Sequence, residues 1–286
     1  MMANRKATYV WLRAGMLLLI LCGAALTVSA FSRYAAEGPL IIAHRGASGY
    51  APENTMAAFE LAERLDADFI EFDVRMSKDG ELVIIHDETV DRTTNFKGNV
   101  RQFTLRELQG MDAASHFHPL YAEQPIVTLP EVMSRFAGKI GMLIEIKDPR
   151  AYPGIEEKVA EIVRRYDLLQ GMEGTKDSAG TEGSAGIIIQ SFDFESARKI
   201  HNLLPDIPVA VLIHAKQHPL SGGTLDKLAS FASYMNYSHD LLDKEIVREI
   251  HDRNRKVMAW TIRKKQDMER VKKLGVDGII TDYPGI

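Results

Sequence analysis

His44, Arg45, Glu71, Asp73 and His86 all fall in the stretch from His44 to Asp87, and each ends or interrupts a short apolar run. His44-Arg45 follows Leu40-Ile41-Ile42-Ala43, and His86-Asp87 follows Leu82-Val83-Ile84-Ile85. Imidazole titrates near neutrality, so two histidines at equivalent strand ends suit a reaction in which one takes a proton and the other gives one to a leaving oxygen. The residues alone leave open which does which. In Phe69-Ile70-Glu71-Phe72-Asp73-Val74, side chains that alternate along a strand put Ile70, Phe72 and Val74 on one face and Glu71 and Asp73 on the other. Leu143-Ile144-Glu145-Ile146-Lys147 repeats the parity, sending Glu145 and Lys147 toward the same interior.

Three carboxylates at one mouth repel one another unless something positive joins them. A hard divalent cation with oxygen ligands, calcium or magnesium, answers that need, with Glu71, Asp73 and Glu145 as its ligands. Zinc is disfavoured, because no His/Cys cluster accompanies the acids. The competing reading is a set of salt bridges from these acids to Arg45, Lys147 or Arg75. Arg45 offers a planar fork for phosphate oxygens and Lys147 a compact charge beside it. His116-Phe117-His118 has chelating spacing but lies in an irregular segment and reads as surface or lid. His201, His214, His218, His239 and His251 have no motif around them and read as solvated.

The elements that must hold these groups alternate strand and helix beyond Pro39. Strands are expected at Leu40–Ala43, Phe69–Val74, Leu82–Ile85, Met142–Ile146, Ile187–Gln190, Val209–Ile213, Tyr234–Tyr237, Val257–Thr261 and Gly278–Thr281. Helices are expected between them: Thr55–Leu65 with Asn54 as its N-cap, Leu129–Ala137, Ile155–Leu169, Ser196–Leu204, Leu225–Ala232, Lys244–Arg253 and Lys264–Leu274. Thr89 to Gln124 has weaker periodicity and one clear helix start, the capping box Thr104–Glu107, and reads as an insertion. Gly171 to Gly186 is a low-complexity loop. Eight parallel-type βα units plus one inserted strand specify a TIM-type (β/α)8 barrel with a small insertion, an α/β fold. A doubly wound open sheet is the alternative.

The chain has 286 residues, a net charge of −4, 26% charged residues and one cysteine, Cys22. That excludes an internal disulfide framework and gives no sign of a nucleic-acid surface. Ahead of the barrel, Arg5, Lys6 and Arg13 precede an uncharged run from Ala14 to Ser32. It reads as a hydrophobic helix, either a single-pass anchor or a signal peptide cleaved after Val28-Ser29-Ala30. Residues 1–38 are therefore expected to export or tether the domain 39–286, with the catalytic part extracytoplasmic.

At this point the chain resembles the glycerophosphodiester phosphodiesterase family. The matching stretches are HRGASGYAPENT, EFDV, DGELVIIHD, LIEIK, IIIQSF, MAWT and GVDGIITDYP, running from residue 42 to 284. The resemblance implies a barrel that hydrolyses glycerophosphodiesters to an alcohol and sn-glycerol 3-phosphate. It makes His44 and His86 the acid/base pair, Glu71, Asp73 and Glu145 the metal ligands, and Arg45 and Lys147 the phosphate contacts. In the family's usual reaction the glycerol 2-hydroxyl, activated with help from the metal, attacks phosphorus to give a cyclic phosphate that water opens. Trp260 becomes a substrate-lining residue, although it has an ordinary core reading as well. Two departures stand out. Trp260-Thr261-Ile262-Arg263 replaces the usual Trp-Thr-Val-Asn, and Ser115-His116-Phe117 replaces a Gly-Ser-Trp-Phe-like pattern.

The partner expected from this reading is a small glycerophosphodiester, with a membrane only through the N-terminal segment if it is uncleaved. Head group and oligomeric state stay open. A phospholipase or lysophospholipase D acting on lipids still in the membrane is the second enzymatic reading. A non-catalytic extracytoplasmic binding protein is the third, and an intact histidine pair argues against it.

Overall fold

The computed structural model describes residues 38–173 and 186–286. The apolar N-terminal run, Cys22 and the Val28-Ser29-Ala30 site lie outside these residues, as does most of the Gly171–Gly186 stretch. Among the described residues no helix is long and apolar enough to cross a membrane.

Nine strands form one sheet: β1 (Leu40–Ala43), β2 (Phe69–Met76), β3 (Leu82–Ile84), β4 (Gly141–Ile146), β5 (Ile187–Ser191), β6 (Val209–Ile213), β7 (Tyr234–Ser238), β8 (Lys256–Ile262) and β9 (Gly278–Thr281). All but β3 run parallel, and β1 pairs with both β9 and β2, so the sheet closes into a TIM-type barrel. The helices are α1 (Met56–Arg64), α2 (Leu105–Gln109), α3 (Leu129–Phe136), α4 (Ile155–Glu173), α5 (Phe194–Leu203), α6 (Gly222–Ala229), α7 (Lys244–His251) and α8 (Lys265–Leu274). Helix α4 runs to Glu173, four residues past the expected stop at Leu169, into the start of the low-complexity stretch.

The two-residue period of the strands divides the core in two. Ile42, Leu143, Ile188, Ala210, Tyr234, Met258 and Ile280 fill the barrel interior. Ile70, Phe72 and Val74 face the helices, where Phe59 of α1 packs its ring 5.7 Å from Phe72 and 6.0 Å from Phe136 of α3. Each such buried aromatic removes enough apolar area from water to contribute roughly 1.5–3 kcal/mol. The opposite parity leaves Glu71 and Asp73 pointing inward above the apolar interior layers.

Strand β3 runs antiparallel to β2, with Val74 opposite Ile84 and Met76 opposite Leu82. His44 and His86 are therefore not at equivalent places. His44 caps a barrel strand, whereas His86 ends a strand that turns back, which returns it to the level of Asp73. The segment that follows packs a separate small core of Val83, Ile85, Val90, Val100, Leu108, Met111, Ala113 and Ile126. The Thr104–Glu107 capping box starts α2 as expected.

Two local expectations are corrected. The N-cap of α1 is Thr55, extended and accepting from the Ala58 amide, while Asn54 adopts left-handed backbone at φ 58°. Asparagine tolerates that region and β-branched threonine does not, and the turn frees the Asn54 amide for the site. Of the histidines read as solvated, only His251 is exposed. His201, His214 and His218 pack against Phe231, Phe192 and Tyr237, and His239 meets Arg270.

Candidate active site

The neighbouring strands β2 and β4 bring Glu71, Asp73 and Glu145 together, with one carboxylate oxygen of each lying within 4.8 Å of the others. All three residues are buried. Strand register explains the meeting, because Asp73 and Glu145 are paired positions of adjacent strands. The neighbouring cations answer part of the charge: Lys147 Nζ lies 2.7 Å from Glu145 and 3.5 Å from Asp73, and Arg45 Nε lies 3.4 Å from Asp73. The salt-bridge reading thus describes the contacts of Arg45 and Lys147. Arg75 is different: it is buried and donates to the His86 carbonyl through Nε and Nη2, at 2.9 and 2.7 Å, and to Asp148 through Nη1.

These contacts sort the three acids. Burial works against ionising Asp73, but Lys147, Arg45, His86 and the Asn54 amide at 2.8 Å overcome it and hold Asp73 well below the usual carboxylate range. Glu71 moves the other way, because burial and then the charges of Asp73 and Glu145 push it well up. Burial raises Glu145 too, against the pull of Lys147. Lys147 itself rises above its ordinary value, since Glu145 and Asp73 outweigh the cost of burying it. Glu71 Oε2 accepts from the Arg45 amide at 2.7 Å, whereas Glu71 Oε1 is buried without any partner. An orphaned carboxylate oxygen of Glu71 beside two further acids, with Glu71 and Glu145 both raised by burial, is the donor set a hard divalent cation fits.

Both histidines are held by the same device. His44 Nδ1 lies 2.6 Å from Asp282 Oδ1, and His86 Nδ1 lies 2.7 Å from Asp87 Oδ1. A carboxylate at Nδ1 draws the ring proton there and leaves Nε2 as the atom that exchanges protons with a substrate. Burial lowers both imidazoles from their ordinary value, opposed at His44 by the Asp282 hydrogen bond and at His86 by the charge of Asp73. Each carboxylate is braced in turn, Asp282 by Ser48 and by an ion pair with Arg263, and Asp87 by Arg92. The departure from the family pattern at Arg263 thus meets the support of His44.

Trp260 is partly buried, donates from Nε1 to the Asn236 carbonyl at 2.8 Å, and meets the edge of Phe192 with ring centroids 5.4 Å apart. Phe192 also lies 5.8 Å beneath the Lys147 ammonium. A groove of about 760 Å³ leads outward from Glu145 and Lys147, bordered by Phe192, Asp193 and Phe194. His116, Phe117 and His118 are exposed in the insertion, which agrees with the surface reading. Sequence reasoning missed Asn54, Asp282, Glu53 and Arg92. A signal existed for Asp282, an acid just past the end of an apolar strand, as His44 is.

Residues 44–286 match the model of the glycerophosphoryl diester phosphodiesterase family. A glycerophosphodiester phosphodiesterase of Bacillus subtilis is 38% identical over 256 residues, covering 86% of this chain and 84% of that protein. One from Caldanaerobacter subterraneus is 39% identical over 247 residues, covering 86% and 94%. Among solved structures, a phosphodiesterase of Oleispira antarctica in complex with the product sn-glycerol-3-phosphate superposes with a TM-score of 0.71 at 28% identity, covering 87% of this chain and 95% of that one. A glycerophosphodiester phosphodiesterase of Agrobacterium tumefaciens gives 0.71 at 27% identity, covering 86% and 97%.

Proposed function

The chain belongs to the glycerophosphoryl diester phosphodiesterase family, and from that premise we propose that it cleaves glycerophosphodiesters with His44 and His86 as its acid/base pair. It is a phosphodiesterase, and its substrates are small glycerophosphodiesters. In the reaction, water adds across one P–O bond, giving an alcohol and sn-glycerol 3-phosphate. The observation that carries the mechanistic reading is the matched pair of Nδ1–carboxylate contacts, at 2.6 and 2.7 Å, on two imidazoles beside the acidic cluster.

One imidazole, neutral at Nε2, accepts the proton of the attacking hydroxyl, and the other, as imidazolium, gives its Nε2 proton to the departing alcohol oxygen. Each step contributes about 10²–10⁴-fold. Arg45 and Lys147 hold the phosphoryl oxygens and offset the charge that grows on them in the transition state. Glu71, Asp73 and Glu145 would hold calcium or magnesium. When bound, the ion supplies Lewis-acid polarisation of a phosphoryl oxygen. Phe192 borders the groove beside Lys147, and Trp260, packed against Phe192, is the substrate-lining residue proposed behind it. Residues 1–38 are proposed to export or tether the catalytic domain, 39–286, outside the cytoplasm.

The test is product identity from a panel of glycerophosphodiesters incubated with the purified chain. Release of sn-glycerol 3-phosphate supports the proposal; release of free glycerol with a phosphorylated alcohol overturns it. A second reading, action on lysophospholipids still in a membrane, draws on the apolar rim: Leu120 is 88% exposed, with Tyr50 and Phe117 at 40%. Turnover confined to lysophospholipid vesicles would favour it.

A further inference from the structure

We infer that Arg92 is a positioning residue that clamps the support of His86 to the support of Arg45, an inference that rests on the proposed phosphodiester chemistry. Arg92 belongs to no barrel strand. It follows Val90, which is fully buried in the separate core of the insertion, and the Thr89–Asn99 bridge and the Val90 N–H to Gly98 carbonyl bond shape its turn. From there its guanidinium reaches two carboxylates at once. Nε donates to Asp87 Oδ2 at 2.7 Å and Nη2 to Asp87 Oδ1 at 3.2 Å. Nη1 donates to Glu53 Oε2 and Nη2 to Glu53 Oε1, both at 2.7 Å.

Both carboxylates lead directly into the site. Asp87 takes the ring contact of His86 at 2.7 Å, and Glu53 accepts from Arg45 Nη1 at 3.0 Å. The chain His86–Asp87–Arg92–Glu53–Arg45 is continuous, and it joins the proton-transfer group to the phosphate-binding group across two loops. Without Arg92, Asp87 and Glu53 would meet as like charges. Asp87 would then lose the bonds that fix its rotamer behind His86, and Glu53 would draw more strongly on Arg45 and compete with phosphate. Only a planar fork with several N–H groups can face two carboxylates in this way, so lysine is an incomplete substitute. The small core of the insertion thus serves the chemistry by holding one arginine over the mouth of the barrel.

The opposing view is an ordinary surface ion pair. The Arg92 side chain is 48% exposed, and exposed pairs contribute little. But its partners are only 16% and 28% exposed, and both carry a second bond into the site. The two views predict different outcomes for R92A, R92K and exogenous guanidinium.

The experiment measures steady-state release of sn-glycerol 3-phosphate by the full chain. The clamp predicts that R92A lowers kcat/KM by about 30-fold or more, with kcat falling and KM rising together. R92K recovers part of the loss. Guanidinium chloride at tens of millimolar restores R92A saturably and by about tenfold, while sodium chloride at equal ionic strength does not, because the exposed site admits the free ion. In an H86A background, R92A should no longer lower kcat but should still raise KM. An R92A enzyme within about threefold of wild type overturns the inference, as does a loss that neither lysine nor guanidinium recovers. If R92A unfolds, R92K and R92Q carry the comparison. An inactive wild type refutes the proposed reaction instead. The clamp then stands or falls on ¹⁵N spectra, in which the His86 Nδ1–H signal, assigned by its loss in H86Q, should weaken or shift in R92K.

Discussion

Replacing Asp282 by asparagine removes one negative charge and almost no volume from the support of His44. The carboxylate lies 2.6 Å from His44 Nδ1, is braced by Ser48 at 3.3 Å, and is held below its usual range: burial opposes ionisation, but the bond to His44 and the charge of Arg263 outweigh it. A hydrogen bond to a charged partner contributes about 1.5–3 kcal/mol. Imidazole gains that full benefit only when it becomes imidazolium, as it must when it takes a proton. At about 1.4 kcal/mol per decade of rate, turnover should fall about 10- to 100-fold. If the amide turns its NH₂ toward Nδ1 and fixes the wrong tautomer, the loss approaches the larger values known for such a change. The assay is kcat for sn-glycerol 3-phosphate release at saturating substrate, with the thermal midpoint recorded in parallel. Turnover within twofold of wild type, with an unchanged midpoint, would refute the idea that Asp282 sets the state of His44.

Other perturbations probe separate parts of the site. H44A and H86A should each lower turnover by at least about 10²-fold, and near-native activity in either removes that histidine from the mechanism. Glu71 is raised in the fold by burial and by Asp73 and Glu145, so its ionisation works against folding. In chelator, stability should therefore decline as pH rises from the ordinary carboxylate range through the raised value. At pH 8 in chelator, E71Q should melt about 2–4 °C above wild type, an effect of about 1 kcal/mol, and calcium should reverse the order; equal midpoints in both conditions contradict this. Asp87 is held at about 2, because Arg92 and His86 outweigh burial. Its stabilisation is present above the ordinary aspartate range and is lost as pH falls toward 2, so D87N should flatten the acid limb of the unfolding profile. N-terminal sequencing of the mature protein tests cleavage after Ala30: a start at Phe31 establishes it, and an intact start at Met1 or Met2 rules it out.

The parts of the site that are legible in the sequence share one cause, the two-residue period of a strand. That period places Glu71 with Asp73 and Glu145 with Lys147 without any knowledge of the neighbours, and the pairing of β2 with β4 then sets Asp73 beside Glu145. What the period does not contain is strand direction. Leu82–Ile85 reads as a strand, but only the pairing of its observed part, Leu82–Ile84, with β2 shows that it turns back and returns His86 to the acids. Asn54 reads as a helix cap because capping and site-binding favour the same short polar side chain. The left-handed backbone that sends its amide to Asp73 is set by the following Thr55, which caps the helix instead. Arg92 gives no signal at all, since it is positioned by the tertiary core of an aperiodic insertion. Arg263 is a simple departure at the rim until Asp282 comes beside it in space.

If Glu71, Asp73 and Glu145 together hold one divalent cation, diester cleavage must follow the occupancy of that site. The most direct measurement strips the full chain with chelator, adds back calcium or magnesium stepwise, and follows bound ion and sn-glycerol 3-phosphate release on the same samples. Activity should rise in proportion to one bound ion per chain, and E145Q should lose both binding and turnover. Full activity in the stripped protein, or an ion that binds E145Q as tightly as wild type, would contradict it.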